Sequence, residues 1–153
     1  MHFDKTSWPG LWHAAPFTVH GRRFMHVEGW LQYKKHSCNP EFGEAIRLTA
    51  SPSQAHEMGG RHELWADLDV GKRTLTEDEV RHWDASKLAY LKQGVLARYR
   101  QNPELAATLD STGDAPLVYD DEDEFWGAGT DGRGANHLGK VTEVVRHALR
   151  DKQ

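Results

Sequence analysis

Apolar residues recur at helical spacing along most of this chain and alternate at strand spacing only in short pieces. The longest periodic run places Val80, Trp83, Lys87, Leu88, Leu91, Val95 and Tyr99 along one face, which predicts a helix over residues 77–100. Thr76 and Glu79, three positions apart at its start, form a capping box. Over residues 25–37, Val27, Trp30, Leu31 and Lys34 share a face and predict another helix, broken at Asn39-Pro40 and followed by one over 41–48. Ser51-Pro52 supplies a cap and a proline at the first helical position, and Gly59-Gly60 stops the short helix they open. Asn102-Pro103 repeats the device for a helix to Leu109, closed near Gly113. Val141, Val144, Val145 and Leu149 mark the last helix, residues 138–150, with Arg146, His147 and Arg150 where cations suit its dipole.

Strand signals are few. Residues 16–19 and 22–24 flank His20-Gly21 and read as a hairpin, and residues 116–119 read as a strand. Residues 61–75 fit neither period, and Leu64, Trp65 and Leu68 are expected to pack inward. The pattern predicts an α+β fold, a mainly helical single domain over residues 1–153 with a small β-sheet or hairpin. A chain of this length buries roughly 70% of its unfolded-state surface.

Charge narrows the function classes. A net charge of −4 argues against a broad nucleic-acid surface, which needs a basic face. It leaves room for a small pocket that reads one base or a phosphorylated sugar. Cys38 is alone, so a disulfide framework is excluded and a reducing compartment fits. The first residues lack the apolar run of a signal peptide, and no segment approaches membrane-spanning length. A cytoplasmic location with no membrane partner is therefore expected. The ten histidines invite a metal, but the spacings His20 to His26 and His56 to His62 match no zinc pattern, and no metal site is expected.

Chemistry concentrates in two places. The first is residues 123–139, which carry Trp126 and Gly127 at the head of a glycine-rich stretch, behind the acids 120–124 and ahead of the last helix. Such a loop suits close backbone approach to a ligand, and a helix start suits an anion. A surface loop whose glycines serve only turns is the plain alternative. Asp123, next to the aromatic pair, is the acid most able to face inward and support a developing cation. The string from Gly127 to Gly132 matches a dinucleotide fingerprint, but no βαβ unit surrounds it, so that reading is rejected.

The second place is the helix carrying Glu28, Gln32 and Lys35. Steps of four and three residues bring all three into one polar stripe beside Val27, Trp30 and Leu31. By spacing alone a solvated helix edge is the commoner case. At a pocket edge, the carboxylate would shuttle a proton and a partly desolvated amine would attack a carbonyl carbon. Trp83 fits the buried face of its helix, and a wall for stacking a flat ring is the alternative.

Taken in order, the motifs resemble one family. They are Glu28-x-x-x-Gln32-x-x-Lys35, Ser51-Pro52…Ala55…Met58-Gly59, Trp83-x-x-x-Lys87, Gln101-Asn102, and Asp123-x-x-Trp126-Gly127 through Asn136-x-Leu138-Gly139 to Arg146. The set is similar to the NADAR family of YbiA-like N-glycosidases, in register from about Pro16 to Leu149. The resemblance implies hydrolysis of the C1′–N bond of a ribosylated base or amine, with no cofactor and no metal. The implied substrates are phosphorylated ribosylaminopyrimidine intermediates of riboflavin synthesis, or ADP-ribosyl guanine. It implies Lys35 as a Schiff-base nucleophile, Glu28 as general acid/base and Asp123 as a further catalytic group. Gln32, Trp83, Trp126, Gly127 and Asn136 fall on binding positions, with aromatics on the base and phosphate at the glycine loop and last helix.

Three departures bear on the substrate. The family's common Glu-His-Tyr reads Glu28-Gly29-Trp30, its Ser-Asn-Phe aligns with Gly10-Leu11-Trp12, and a usual carboxylate is replaced by Tyr119 or displaced into Asp120-Asp121. A non-catalytic ADP-ribose or nucleotide sensor on the same fold is the rival. The retained Glu28 and Lys35 argue against it, because binding alone needs no acid–amine pair.

Overall fold

Phe17 and Phe24 are both buried, and their pairing fixes the register of the hairpin. Strands β2 (Phe17–Val19) and β3 (Arg22–Phe24) run antiparallel about the turn at His20-Gly21, as the alternation predicts. Strand β4 (Val118–Tyr119) falls within the strand read at residues 116–119, and it pairs in parallel with β1 (His2–Phe3), which the sequence pattern did not reveal. Two-residue strands carry almost no periodicity. A computed structural model describes residues 1–60 and 75–151, so the expected inward packing of Leu64, Trp65 and Leu68 lies outside the described residues.

The helices follow the predicted punctuation. They are α1 (Val27–Lys35), α2 (Pro40–Leu48), α3 (Pro52–Gly60), α4 (Glu77–Gln101), α5 (Pro103–Ser111) and α6 (His137–Arg150). The fold is α+β and mostly helical. Both halves of the Thr76–Glu79 capping box form. Helix α1 starts two residues later than the apolar pattern suggests. His26 takes extended backbone and its Nδ1 accepts the Gly29 N–H at 2.9 Å, so the histidine caps the helix rather than entering it.

The core lies where α1 crosses α4 and α6 covers the far side. Trp30 is the pivot. It is buried, edge-on to Phe24, and donates its indole N–H to the Tyr90 carbonyl at 2.7 Å. Gly94 permits the crossing, because a Cβ there would lie 2.4 Å from the Trp30 ring. Leu91, Val95 and Tyr99 complete the α4 face, while Val80 is exposed near the start of the helix. In α6, Leu138, Val141 and Val145 are buried but Val144 faces outward, and Arg146 turns inward to bond Thr112 Oγ1 and the Ala115 carbonyl. A smaller cluster of Phe42, Ile46, Ala55 and Met58 ties α2 to α3.

One buried cation governs the N-terminal loop. Arg98 on α4 donates to the carbonyls of Gly10 and Pro9 at 2.8 and 2.9 Å. The Leu11 carbonyl in turn accepts the Glu28 N–H at 3.0 Å. This chain of bonds holds the residues from Lys5 to Trp12 over the start of α1.

Candidate active site

Helix α1 packs along α3 from Glu28 against His56 to Lys35 against Gly59, and the N-terminal loop and the loop after β4 close over the crossing. Between them lies a cavity of about 600 Å³. Its α1 wall is Glu28, Leu31 and Gln32, and its α3 wall is Ser53, His56 and Glu57. Lys5, Leu11 and Trp12 come from the N-terminal loop. Tyr119, Asp121, Asp123 and Trp126 come from the segment at and after β4, and Trp83 comes from α4.

Among the described residues Glu28 is the most enclosed acid, its side chain only 6% exposed. The four-residue step on α1 lets Gln32 Nε2 donate to Glu28 Oε1 at 3.1 Å. The same oxygen lies 2.7 Å from His56 Nδ1. In the sequence His56 stands out only as half of a spacing that matches no zinc pattern. No local signal marks it, because the contact depends on how α3 crosses α1. The histidine common at position 29 in the resembling family is absent, and the His26 ring lies against Gly29 instead. The imidazole beside the carboxylate comes from a different helix. The hydrogen bond from Glu28 raises His56 above its ordinary value, against burial and the charges of Lys5 and Lys35.

Lys35 lies about two turns beyond Glu28 along α1 and does not line this cavity. It borders a neighbouring pocket of about 190 Å³ with Cys38 and His82, and Trp83 lines both spaces. Its Nζ is 3.4 Å from the Gly59 carbonyl. Burial lowers the amine from its ordinary value, and the Lys87 charge pushes the same way against Glu28 and Asp84. A lysine poised toward its neutral form is what attack on a carbonyl carbon requires.

Tyr119, noted in the sequence only as a departure, is buried and forms part of the cavity wall. Burial pushes its phenol far up, and the charges of Asp121, Glu28 and Asp123 add to the shift. It is therefore a permanent O–H group between carboxylates at neutral pH.

The remaining expected residues divide into wall and support. Trp83 stacks on Tyr90 with its ring part-exposed, and Trp126 is half-buried with Phe125 edge-on at 4.7 Å. Asp123 lines the cavity, yet its Oδ1 also accepts the N–H groups of Phe125 and Trp126 at 2.8 and 2.7 Å, so it shapes the turn that presents Trp126. Gly127 is buried behind that turn, with Asp121 Cβ 2.9 Å from where its own Cβ would stand. Asn136 does not line the cavity. It holds a left-handed backbone, and its amide accepts from Tyr119 N–H and donates to the Leu117 carbonyl, acting as a strand partner for β4.

The glycine loop, expected to receive phosphate, bonds extensively to itself. The N–H groups of Asn136, His137 and Leu138 at the start of α6 donate to the carbonyls of Gly127, Phe125 and Trp126. Gly134 and Ala135 donate to Ala128 and Glu124. Three N–H groups at the start of α6 are thus taken up by the loop's own carbonyls. Basic side chains at the cavity come instead from Lys5, whose Nζ is 4.1 Å from the Trp12 ring centre, and from His56. Among the described residues, no group of three or more His, Cys, Asp or Glu is placed to hold a metal ion.

Comparison with known proteins bears on the family and the fold. The model of the NADAR domain matches residues 2–150. N-glycosidase YbiA of Escherichia coli is 28% identical over 137 residues, covering 89% of this chain and 77% of that protein. A riboflavin biosynthesis protein of Vibrio vulnificus is 26% identical over 140 residues, covering 91% of this chain and 34% of that protein. The NMR structure of E. coli YbiA superposes with a TM-score of 0.79 at 27% identity, covering 99% of this chain and 85% of that one. With a family match over nearly its whole length and a fold to go with it, the chain belongs to the NADAR family.

Proposed function

We propose that this protein is a metal-independent N-glycosidase that cleaves the C1′–N bond of a ribosylated base or amine. The observation that carries the reading is Glu28. It is a buried carboxylate held by Gln32 and His56 at the wall of a cavity that also presents Trp12, Trp83 and Trp126. A binding module gains little from burying an acid against an imidazole, whereas breaking a glycosidic bond needs a proton for the departing nitrogen. Trp83 and Trp126 would bracket the base. Tyr119, its O–H bonded to Asp121, would accept from a ribose hydroxyl through its phenol oxygen.

Charge at the cavity bears on the substrate. Glu28, Glu57, Asp121, Glu122 and Asp123 outnumber Lys5 and His56 around its walls. A ligand with one phosphate, placed toward Lys5, suits this field better than a diphosphate lying across the carboxylates. We therefore favour a phosphorylated ribosylaminopyrimidine over ADP-ribosyl guanine, in keeping with the relative named for riboflavin biosynthesis.

Two routes past the leaving step fit the geometry. In the first, Lys35 captures C1′ of the opened sugar as an imine, which its lowered pKa favours. In the second, water attacks directly, with Asp123 supporting the positive charge at C1′. The second is favoured by Asp123 lining the cavity while Lys35 borders the adjacent pocket. Incubation with each substrate, followed by detection of free base and free sugar, tests the activity. Chelator-treated protein is expected to keep its full rate. A protein that binds both compounds and releases no base would be a sensor instead.

A further inference from the structure

Glu28 faces a supply problem. An acid that protonates the leaving nitrogen must receive that proton from somewhere and be reset before the next cycle. Its side chain is 6% exposed, and Oε1 is occupied by Gln32 Nε2 and His56 Nδ1. The Gln32 amide fixes the carboxylate but does not titrate. His56 does titrate, and its side chain is 63% exposed. The imidazole thus spans the distance from an enclosed carboxylate oxygen to open solvent, with one ring nitrogen at each end.

We infer that His56 is the proton relay of Glu28, carrying protons between that carboxylate and water through Nδ1 and Nε2. The inference rests on the N-glycosidase reading. As the C1′–N bond breaks, its electron pair goes to nitrogen, which takes a proton from Glu28, and the imidazolium replaces that proton through Nδ1. When water adds at C1′, the proton it sheds returns through Glu28 to His56. The sum is one water added across the C1′–N bond, hydroxyl to carbon and hydrogen to nitrogen, with both side chains restored. His56 acts through Glu28, so it is a positioning and supply group for the acid.

The charged groups facing His56 set its working range. Glu28 and Lys35 approach from α1, Glu57 lies beside it on α3, Lys5 comes from the N-terminal loop, and Asp121, Glu122 and Asp123 line the wall across the cavity. The hydrogen bond from Glu28 is the largest influence and holds the imidazole protonated above its ordinary 6.5. The relay is therefore charged below that raised value and empties as pH rises through it, which gives kcat an alkaline limb.

The test is base release as a function of pH for wild type, His56→Gln and His56→Ala, with the ribosylaminopyrimidine phosphate as substrate. His56 is largely exposed, so both variants are expected to melt near wild type. His56→Gln should lower kcat by about 10²-fold, within the range that acid–base groups supply, leave KM nearly unchanged, and lose the alkaline limb. Added imidazole should restore part of the His56→Ala rate. A wild-type enzyme that turns over while His56→Gln keeps its rate and pH profile overturns the relay alone. A wild type that releases no base from this substrate or from ADP-ribosyl guanine overturns the N-glycosidase reading and the relay with it.

Discussion

Gln32 lies so close to Gly59 that a Cβ on the glycine would stand 1.8 Å from Gln32 Oε1. The contact joins the two helices that make the cavity. The Gly59 carbonyl also receives His36 Nε2 at 3.0 Å and Lys35 Nζ at 3.4 Å, so one residue of α3 meets three side chains of α1 and its cap.

Gly59→Ala must therefore displace Gln32, the group that orients Glu28. Overpacking of this kind costs about 1–3 kcal/mol, and a drop in melting temperature is expected. The kinetic effect should fall on kcat more than on KM, because the carboxylate moves while the stacking walls stay. Gly60→Ala is the control in the melts. A Cβ at Gly60 meets nothing within 4 Å, so its melting temperature should hold or rise.

Trp126 is half-buried, packed against the core on one side and facing the cavity on the other. Trp126→Ala should weaken ligand binding and lose less than the roughly 3–5 kcal/mol that truncating a fully buried tryptophan costs. Ligand should also change tryptophan fluorescence in wild type and do so less in the variant. Melts with and without ligand check both. A large stability loss with unchanged binding would assign Trp126 to the core alone.

Helix positions were legible because caps and periods are local. Thr76 with Glu79, Ser51-Pro52 and Asn102-Pro103 each put a start within a residue or so of where the helix begins. The stripe of Glu28 and Gln32 was legible as geometry, though spacing could not tell a cavity wall from a solvated edge. The carboxylate's burial depends on the N-terminal loop held by Arg98, and nothing near Glu28 in sequence announces that loop. His56 was invisible for the same reason, since its partner is 28 residues away on another helix. The glycine loop is a different case. Its glycines let the chain fold back on the first turn of α6, a self-pairing that composition does not announce.

Asn136 tests that last point. Its side chain bridges Tyr119 N–H and the Leu117 carbonyl at 2.8 and 2.9 Å, and its backbone is left-handed with φ 53°. Asn136→Ala loses both bonds and places a Cβ residue without a compensating side-chain bond in a region costing about 1–2 kcal/mol. Asn136→Gly loses the bonds alone. The alanine variant should melt lowest, the glycine variant between it and wild type. Equal melts for the two would mean that the hydrogen bonds carry the whole effect.

Lys35 supplies the sharpest test of the reaction route. Burial lowers its folded-state pKa below its ordinary 10.5, so between the two values the unfolded chain binds more protons than the native one. Stability therefore rises as pH climbs through that window, where the cost of burying the charged amine is relieved. Lys35→Met should flatten this slope in denaturant titrations run from neutral pH toward 10.5, and should not destabilise the protein near neutrality. The same lowering favours the neutral amine that attack on C1′ of an opened sugar requires. Borohydride added during turnover should then trap a protein–sugar adduct at Lys35, found by peptide mass, and Lys35→Met should lose the adduct and most of the rate. If the adduct never forms and Lys35→Met keeps near wild-type turnover, water is the nucleophile. Asp123→Asn should then slow the reaction, because it removes the negative charge that supports C1′ while keeping the oxygen that accepts from Phe125 and Trp126.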